Sequence, residues 1–151
     1  MFISRGTNHR INRLHERSLR ILYNDDISSF EELLMKDNSV TIHTRNIQLL
    51  AIEMYKIKNK ISPDFICEIF PKSNAVYKTR ASSDFIRPRV NTVLWGTETI
   101  RNLGPKIWDI LPANIKEAPT LNSFKVKVKQ MKTFNCPCRL CKVYLPNIGF
   151  V

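Results

Sequence analysis

Apolar residues in the first seventy positions recur at three- and four-residue spacing, which predicts helices rather than strands. Across residues 8–23 a turn of 3.6 residues gathers Ile11, Leu14, Ser18, Leu19, Ile21 and Leu22 on one side. Arg10, Arg13, Arg17 and Arg20 share a narrow arc opposite, so a basic amphipathic helix is expected. Asn24 and the acidic pair Asp25 and Asp26 end it. Ser28, three residues before Glu31, offers a capping box for a short helix through Leu33, Leu34 and Met35. Ser39 or Thr41 can open a longer helix to about Asn59, with Ile42, Ile47, Leu50, Met54 and Ile57 as its buried stripe. Ser62 and Pro63 read as a cap followed by proline at the first helical position, launching Phe65, Ile66, Ile69 and Phe70.

After Pro71 the texture changes. Residues 76–80 and 85–90 read as loop or edge strand, the second interrupted by Pro88. A small β-hairpin is predicted from residues 90–95 and 98–103 about the turn Gly96 and Thr97, glycine suiting the first position of a type II′ turn, with Val93 opposite Ile100. Gly104 and Pro105 then open a helix through Ile107, Trp108 and Leu111, closed by Pro112. Residues 120–134 carry both alternating and helical spacing. Helix is preferred, because the stripe Leu121, Phe124, Val128 and Met131 is the longer one. The predicted class is α+β, mainly α: a helical part over residues 8–70, a mixed hairpin-and-helix part over 72–134, and a cysteine-bearing tail over 135–151.

Charge changes this picture. The 151 residues carry 24 Lys and Arg against 13 Asp and Glu, a net charge of +11, which points to a polyanionic partner such as RNA or DNA. Residues 1–23 hold a net +4, residues 24–37 a net −4, and further excess lies over residues 72–106 and 116–151. A row of guanidinium groups on one helix face can meet successive phosphates, so Arg10, Arg13, Arg17 and Arg20 are the first candidate group. Lys125, Lys127, Lys129 and Lys132 form the second, with Arg139 and Lys142 beyond them. For both clusters the plain alternative is a solvated face that serves solubility. No apolar run is long enough to span a bilayer, and the start lacks a signal-peptide core. Four cysteines, three of them close together, suit a reducing compartment, so nucleus or cytoplasm is expected.

Cys136, Cys138 and Cys141 have spacing that lets thiolates converge on zinc, yet a closed site needs four ligands, and Cys67, His43, His15 or a partner chain would have to supply the last. Trp95, Trp108, Phe65 and Phe70 could stack on bases, although each sits among apolar neighbours as core residues do. No nucleophile elbow, paired catalytic histidine or phosphate-cradling glycine loop is present, so a non-catalytic protein is expected. The string Tyr23, Asn24, Asp25, Asp26 matches a polymerase metal-binding pattern. A two-metal site needs those aspartates on a strand hairpin with a carboxylate from an earlier strand, whereas here they follow a helix.

Four stretches carry a family likeness: LHERSLRILYNDDISSFEELL over residues 14–34, residues 46–60, PRVNTVLWGTETIRNLGPKIWDILP over residues 88–112, and CPCRLCKVYLPNIGFV over residues 136–151. Together they resemble the C-terminal part of the polyprotein of non-LTR, jockey-like retrotransposons, downstream of the reverse transcriptase. The resemblance covers nearly the whole chain and implies an endonuclease and an RNA-directed DNA polymerase lying upstream in the parent transposable element. It therefore implies a detached, non-catalytic fragment. Three roles are open: holding template RNA or target DNA, docking on the absent polymerase domain, or none, as an inert relic.

Overall fold

The computed structural model describes residues 5–73, 83–92, 96 and 99–131. Seven helices occupy them: α1 (Arg5–Tyr23), α2 (Phe30–Lys36), α3 (Ile42–Lys58), α4 (Asp64–Ile69), α5 (Ile100–Ile110), α6 (Ala113–Lys116) and α7 (Leu121–Gln130). Helix accounts for 66% of the described residues and strand for none, so the protein is mainly α. An isolated antiparallel bridge between Lys72 and Phe85 is the β-type pairing found among them. The chain divides into two compact units, Met1–Asn46 and Ile47–Val151, with the boundary inside α3.

In the first unit α1 and α2 pack around a small core of Leu19, Leu33 and Leu34, with Phe30 beside it and the His15 ring set edge-on to Phe30 at 5.7 Å. Asn24 ends α1 in the left-handed region (φ 49°), where asparagine is tolerated, and lets the Asp25 N–H donate back to the Arg20 carbonyl at 3.1 Å. Asp25 then organises the turn. Its carboxylate accepts from the backbone N–H of Ile27 and Ser28, from the Ser28 hydroxyl and from Lys36. With the Ser28 hydroxyl taken, the expected capping box moves one residue on: Ser29 accepts from the Glu32 N–H, and Glu32 Oε2 accepts from the Ser29 N–H at 2.7 Å.

Thr41 opens α3, its hydroxyl oxygen accepting from the Thr44 N–H at 3.2 Å. Of the expected stripe on this helix, Ile47, Met54 and Ile57 are buried, and Gln48, Ala51, Ile52 and Tyr55 join them. On α4 the expected stripe fails: Phe65 and Ile69 are exposed, and Phe70, just past the helix, is the buried one. The Phe70 ring takes the buried place instead, lying against Gly104 where a Cβ would meet it.

The predicted hairpin is not formed. Ile100 through Leu103, expected as its second strand, make the first turn of α5, while Val93 to Trp95 and Thr97 to Glu98 lie outside the described residues. The reason is local. Thr99 donates its N–H (3.2 Å) and its hydroxyl (2.7 Å) to the Gly96 carbonyl, and its own carbonyl accepts from Asn102 and Leu103, so the turn leads into a helix. The helix therefore starts four residues before Gly104 and carries Pro105 inside it, sacrificing one backbone hydrogen bond. Burial offsets that loss, because Leu103, Pro105, Ile107 and Trp108 all go into the core. Gly104 permits the close approach: a Cβ there would lie 2.7 Å from Met54 Sδ and 2.9 Å from Phe70 Cε1.

Aromatic rings knit the second unit together. Tyr55 stacks on Phe124 at 4.3 Å, Phe124 lies 6.1 Å from Trp108, and Phe85 meets Trp108 edge-on at 6.0 Å. The ambiguous segment after Thr120 is helix, capped by the Thr120 hydroxyl, which accepts from the Ser123 N–H at 3.2 Å, and buried through Phe124 and Val128. The buried Gln48 amide shares its two N–H groups among the carbonyls of Val128, Lys129 and Met131, the shortest contact being 3.1 Å to Met131, where the end of α7 exposes backbone acceptors.

Candidate nucleic-acid interface

Arg10, Arg13 and Arg17 stand exposed on successive turns of α1, and no described carboxylate pairs with any of them. Arg20 is different. It is half-buried, bonded to Glu16 Oε1 one turn back at 2.7 Å, and its second amino group donates to the Asp25 carbonyl at 3.3 Å. It fastens the helix to its own terminal turn, so three of the four expected arginines stand open to a ligand.

The apolar side of α1 also differs from expectation. Leu19 is buried, but Leu14, Ile21 and Leu22 are 62%, 82% and 67% exposed. By helical geometry Arg10 and Arg17 lie only about 20–60° round the axis from Leu14 and Ile21. The guanidiniums therefore border this apolar edge instead of opposing it. That angular neighbourhood already lies in the residue spacing; what the spacing does not show is that the small core of the unit takes Leu19 and leaves Leu14, Ile21 and Leu22 exposed.

The second group is divided by its helix. Lys125 and Lys129 are four residues apart on one flank of α7, half-buried and exposed respectively. Lys127 lies on the other flank and donates to the Asn114 carbonyl at 2.8 Å. Lys132, Cys136, Cys138 and Cys141 lie outside the described residues. Among the described residues no three His, Cys, Asp or Glu side chains are grouped to hold a metal ion. The Cys67 thiol donates to the Ser62 carbonyl at 3.5 Å.

A charged cluster that sequence reasoning missed surrounds Trp108 in the second unit. Asp84 Oδ2 accepts from Trp108 Nε1 and from Lys58 Nζ, each at 2.8 Å, while the Lys58 and Lys116 ammonium groups stand 5.2 and 5.8 Å from the Trp108 ring centre. Burial pushes the Asp84 carboxyl up, but the hydrogen bonds from Lys58 and Trp108 outweigh it and hold the group below its ordinary value. Burial lowers Lys116, Asp109 and Asp84 pull it back up, and nearby Lys58 adds to the lowering, for a net depression. No sequence signal joins these residues, which come from four separated segments. Trp108 itself is fully buried, which leaves it no face for a base, whereas Phe65 stands exposed. Trp95 lies outside the described residues.

No protein family, no curated protein and no solved structure matches the chain. No helix among the described residues is long and apolar enough to cross a membrane.

Proposed function

We propose that the protein is a non-catalytic nucleic-acid-binding segment, resembling the C-terminal region of a jockey-like retrotransposon reverse transcriptase, that holds RNA template or target DNA on the basic face of α1. The observation that carries this reading is the set Arg10, Arg13 and Arg17, exposed on consecutive turns and unpaired with any described carboxylate. Exposed and unpaired, these three guanidiniums keep their charge available to a phosphate, whereas that of Arg20 is partly neutralised by Glu16. Their spacing along the helix, about 10 Å from first to last, matches two or three phosphates of one strand. Lys125 and Lys129 supply a second, smaller contact.

The test is an electrophoretic shift titration of the full chain with single- and double-stranded RNA and DNA at two salt concentrations, alongside Arg10→Gln/Arg13→Gln/Arg17→Gln. Each lost phosphate contact should flatten the slope of log affinity against log salt by about 0.7 on single strands or 0.9 on duplex, so the triple variant should lose about 2 to 3 in slope. An unchanged affinity in that variant, or wild-type affinity indifferent to salt, defeats the reading.

A further inference from the structure

We infer that the apolar edge of α1 is one half of a two-helix seam, whose other half is a helix of a partner protein that carries carboxylates beside its own apolar row. Ile11, Leu14, Ser18 and Ile21 follow each other at spacings of three, four and three residues, the pattern by which one helix packs along another. Leu14 and Ile21 of that row face solvent, Ile11 is half-buried, and Leu22 and Ile27 lie exposed just beyond. Large aliphatics exposed together along one helix edge mark an interaction surface more often than singly scattered ones do.

Charge selects the occupant. Arg10 and Arg17, seven residues apart, flank the row at equivalent places and have no described acidic partner. A second copy does not complement them: antiparallel pairing sets Arg10 of one chain against Arg17 of the other, and parallel pairing sets them against His15 and Leu22. A helix with Glu or Asp at the flanking positions meets both arginines while its apolar row covers Leu14 and Ile21. A bilayer fits less well, because the hydroxyl of Ser18 sits in the middle of the row and the arginines press close to its edge, leaving a narrow apolar arc. The seam is independent of the nucleic-acid reading, although Arg10 and Arg17 border both surfaces, so the two ligands would compete.

The probe is a labelled synthetic heptad peptide with leucine in its apolar row and glutamate on both flanks, titrated by fluorescence anisotropy against the full-length chain. The glutamate peptide should bind at least about tenfold more tightly than the same peptide with lysine flanks. Leu14→Ser/Ile21→Ser should weaken it by about tenfold or more while leaving salt-sensitive nucleic-acid retention within about twofold of wild type. Because exposed positions are changed, circular dichroism should stay constant. Arg10→Glu/Arg17→Glu gives a second route and should transfer preference to the lysine peptide. Absence of glutamate-peptide binding up to about 100 μM, equal affinity for both peptides, or an unaffected serine variant overturns the inference. So does tighter binding to vesicles of anionic phosphatidylserine that depends on the same two aliphatics.

Discussion

Tyr55 offers the sharpest check on how the second unit is held together. Its ring lies stacked on Phe124 and its hydroxyl donates to the Ala118 carbonyl at 2.7 Å, both groups being buried. Tyr55→Phe leaves the ring stack in place and removes that one hydrogen bond, so the buried carbonyl loses its donor. The net bond together with the desolvated acceptor makes a loss of about 2 kcal/mol. Urea unfolding followed by tryptophan fluorescence reports this unit specifically, since Trp95 and Trp108 are the two tryptophans of the chain and both belong to it. For a urea dependence of about 1–3 kcal/mol per molar, the midpoint should fall by roughly 0.7–2 M with the slope unchanged. Tyr55→Leu, which also breaks the stack, should cost more, about 3–5 kcal/mol. A midpoint shift below about 0.2 M for the phenylalanine variant would show that the hydroxyl contributes nothing and that the reasoning is wrong.

Other outcomes follow from the same structure. Lys60 closes α3 with φ 56°, a region that costs a β-carbon-bearing residue about 1 kcal/mol, so Lys60→Gly should raise stability by about 0.5 kcal/mol after its extra unfolded-state freedom is counted; a lower melting temperature would contradict this. Asp84 is held below its ordinary value of 3.8, so its contribution is complete above that pH and disappears as pH falls through the lower folded-state value. Asp84→Asn should accordingly flatten the decline of stability between about pH 5 and 2, with Glu53, depressed likewise by bonds from Ser62 and Lys56 that outweigh its burial, and Asp25, held lower by Lys36 and Ser28, sustaining the rest; identical pH profiles would count against it. Glu16→Gln releases Arg20 from its ion pair, and if α1 grips phosphates the salt slope of nucleic-acid binding should steepen by about 0.7–0.9. No change in slope would mean that Arg20 does not reach the ligand.

Short-range features were legible in the sequence. The spacing of Ile47, Met54 and Ile57, the helix-stopping Asn24, and Thr41 as one of two candidates to open α3 act within one or two turns, so composition and order suffice to place them. The capping box was legible in kind but displaced by one residue, because Asp25 competes for the Ser28 hydroxyl. The hairpin was a misreading of an ambiguous run, since Thr99 turns on the Gly96 carbonyl and commits Ile100 onward to helix, where Leu103 and Trp108 find a core. On the basic helix the identity of the arginines was plain, while their availability was not: one is tied to Glu16, three are open, and two of these border an exposed apolar edge.

The positive charge, the helices of the first seventy residues and the arginine row were readable from local order, because each depends on residues that are neighbours along the chain. Tertiary structure alone decided which side of α1 faces solvent, that Gln48 closes the end of α7, and that Lys58, Asp84, Trp108 and Lys116 share one neighbourhood. Such pairings depend on where chain reversals bring distant segments together, and no local spacing encodes the partner that a buried or charged group will meet.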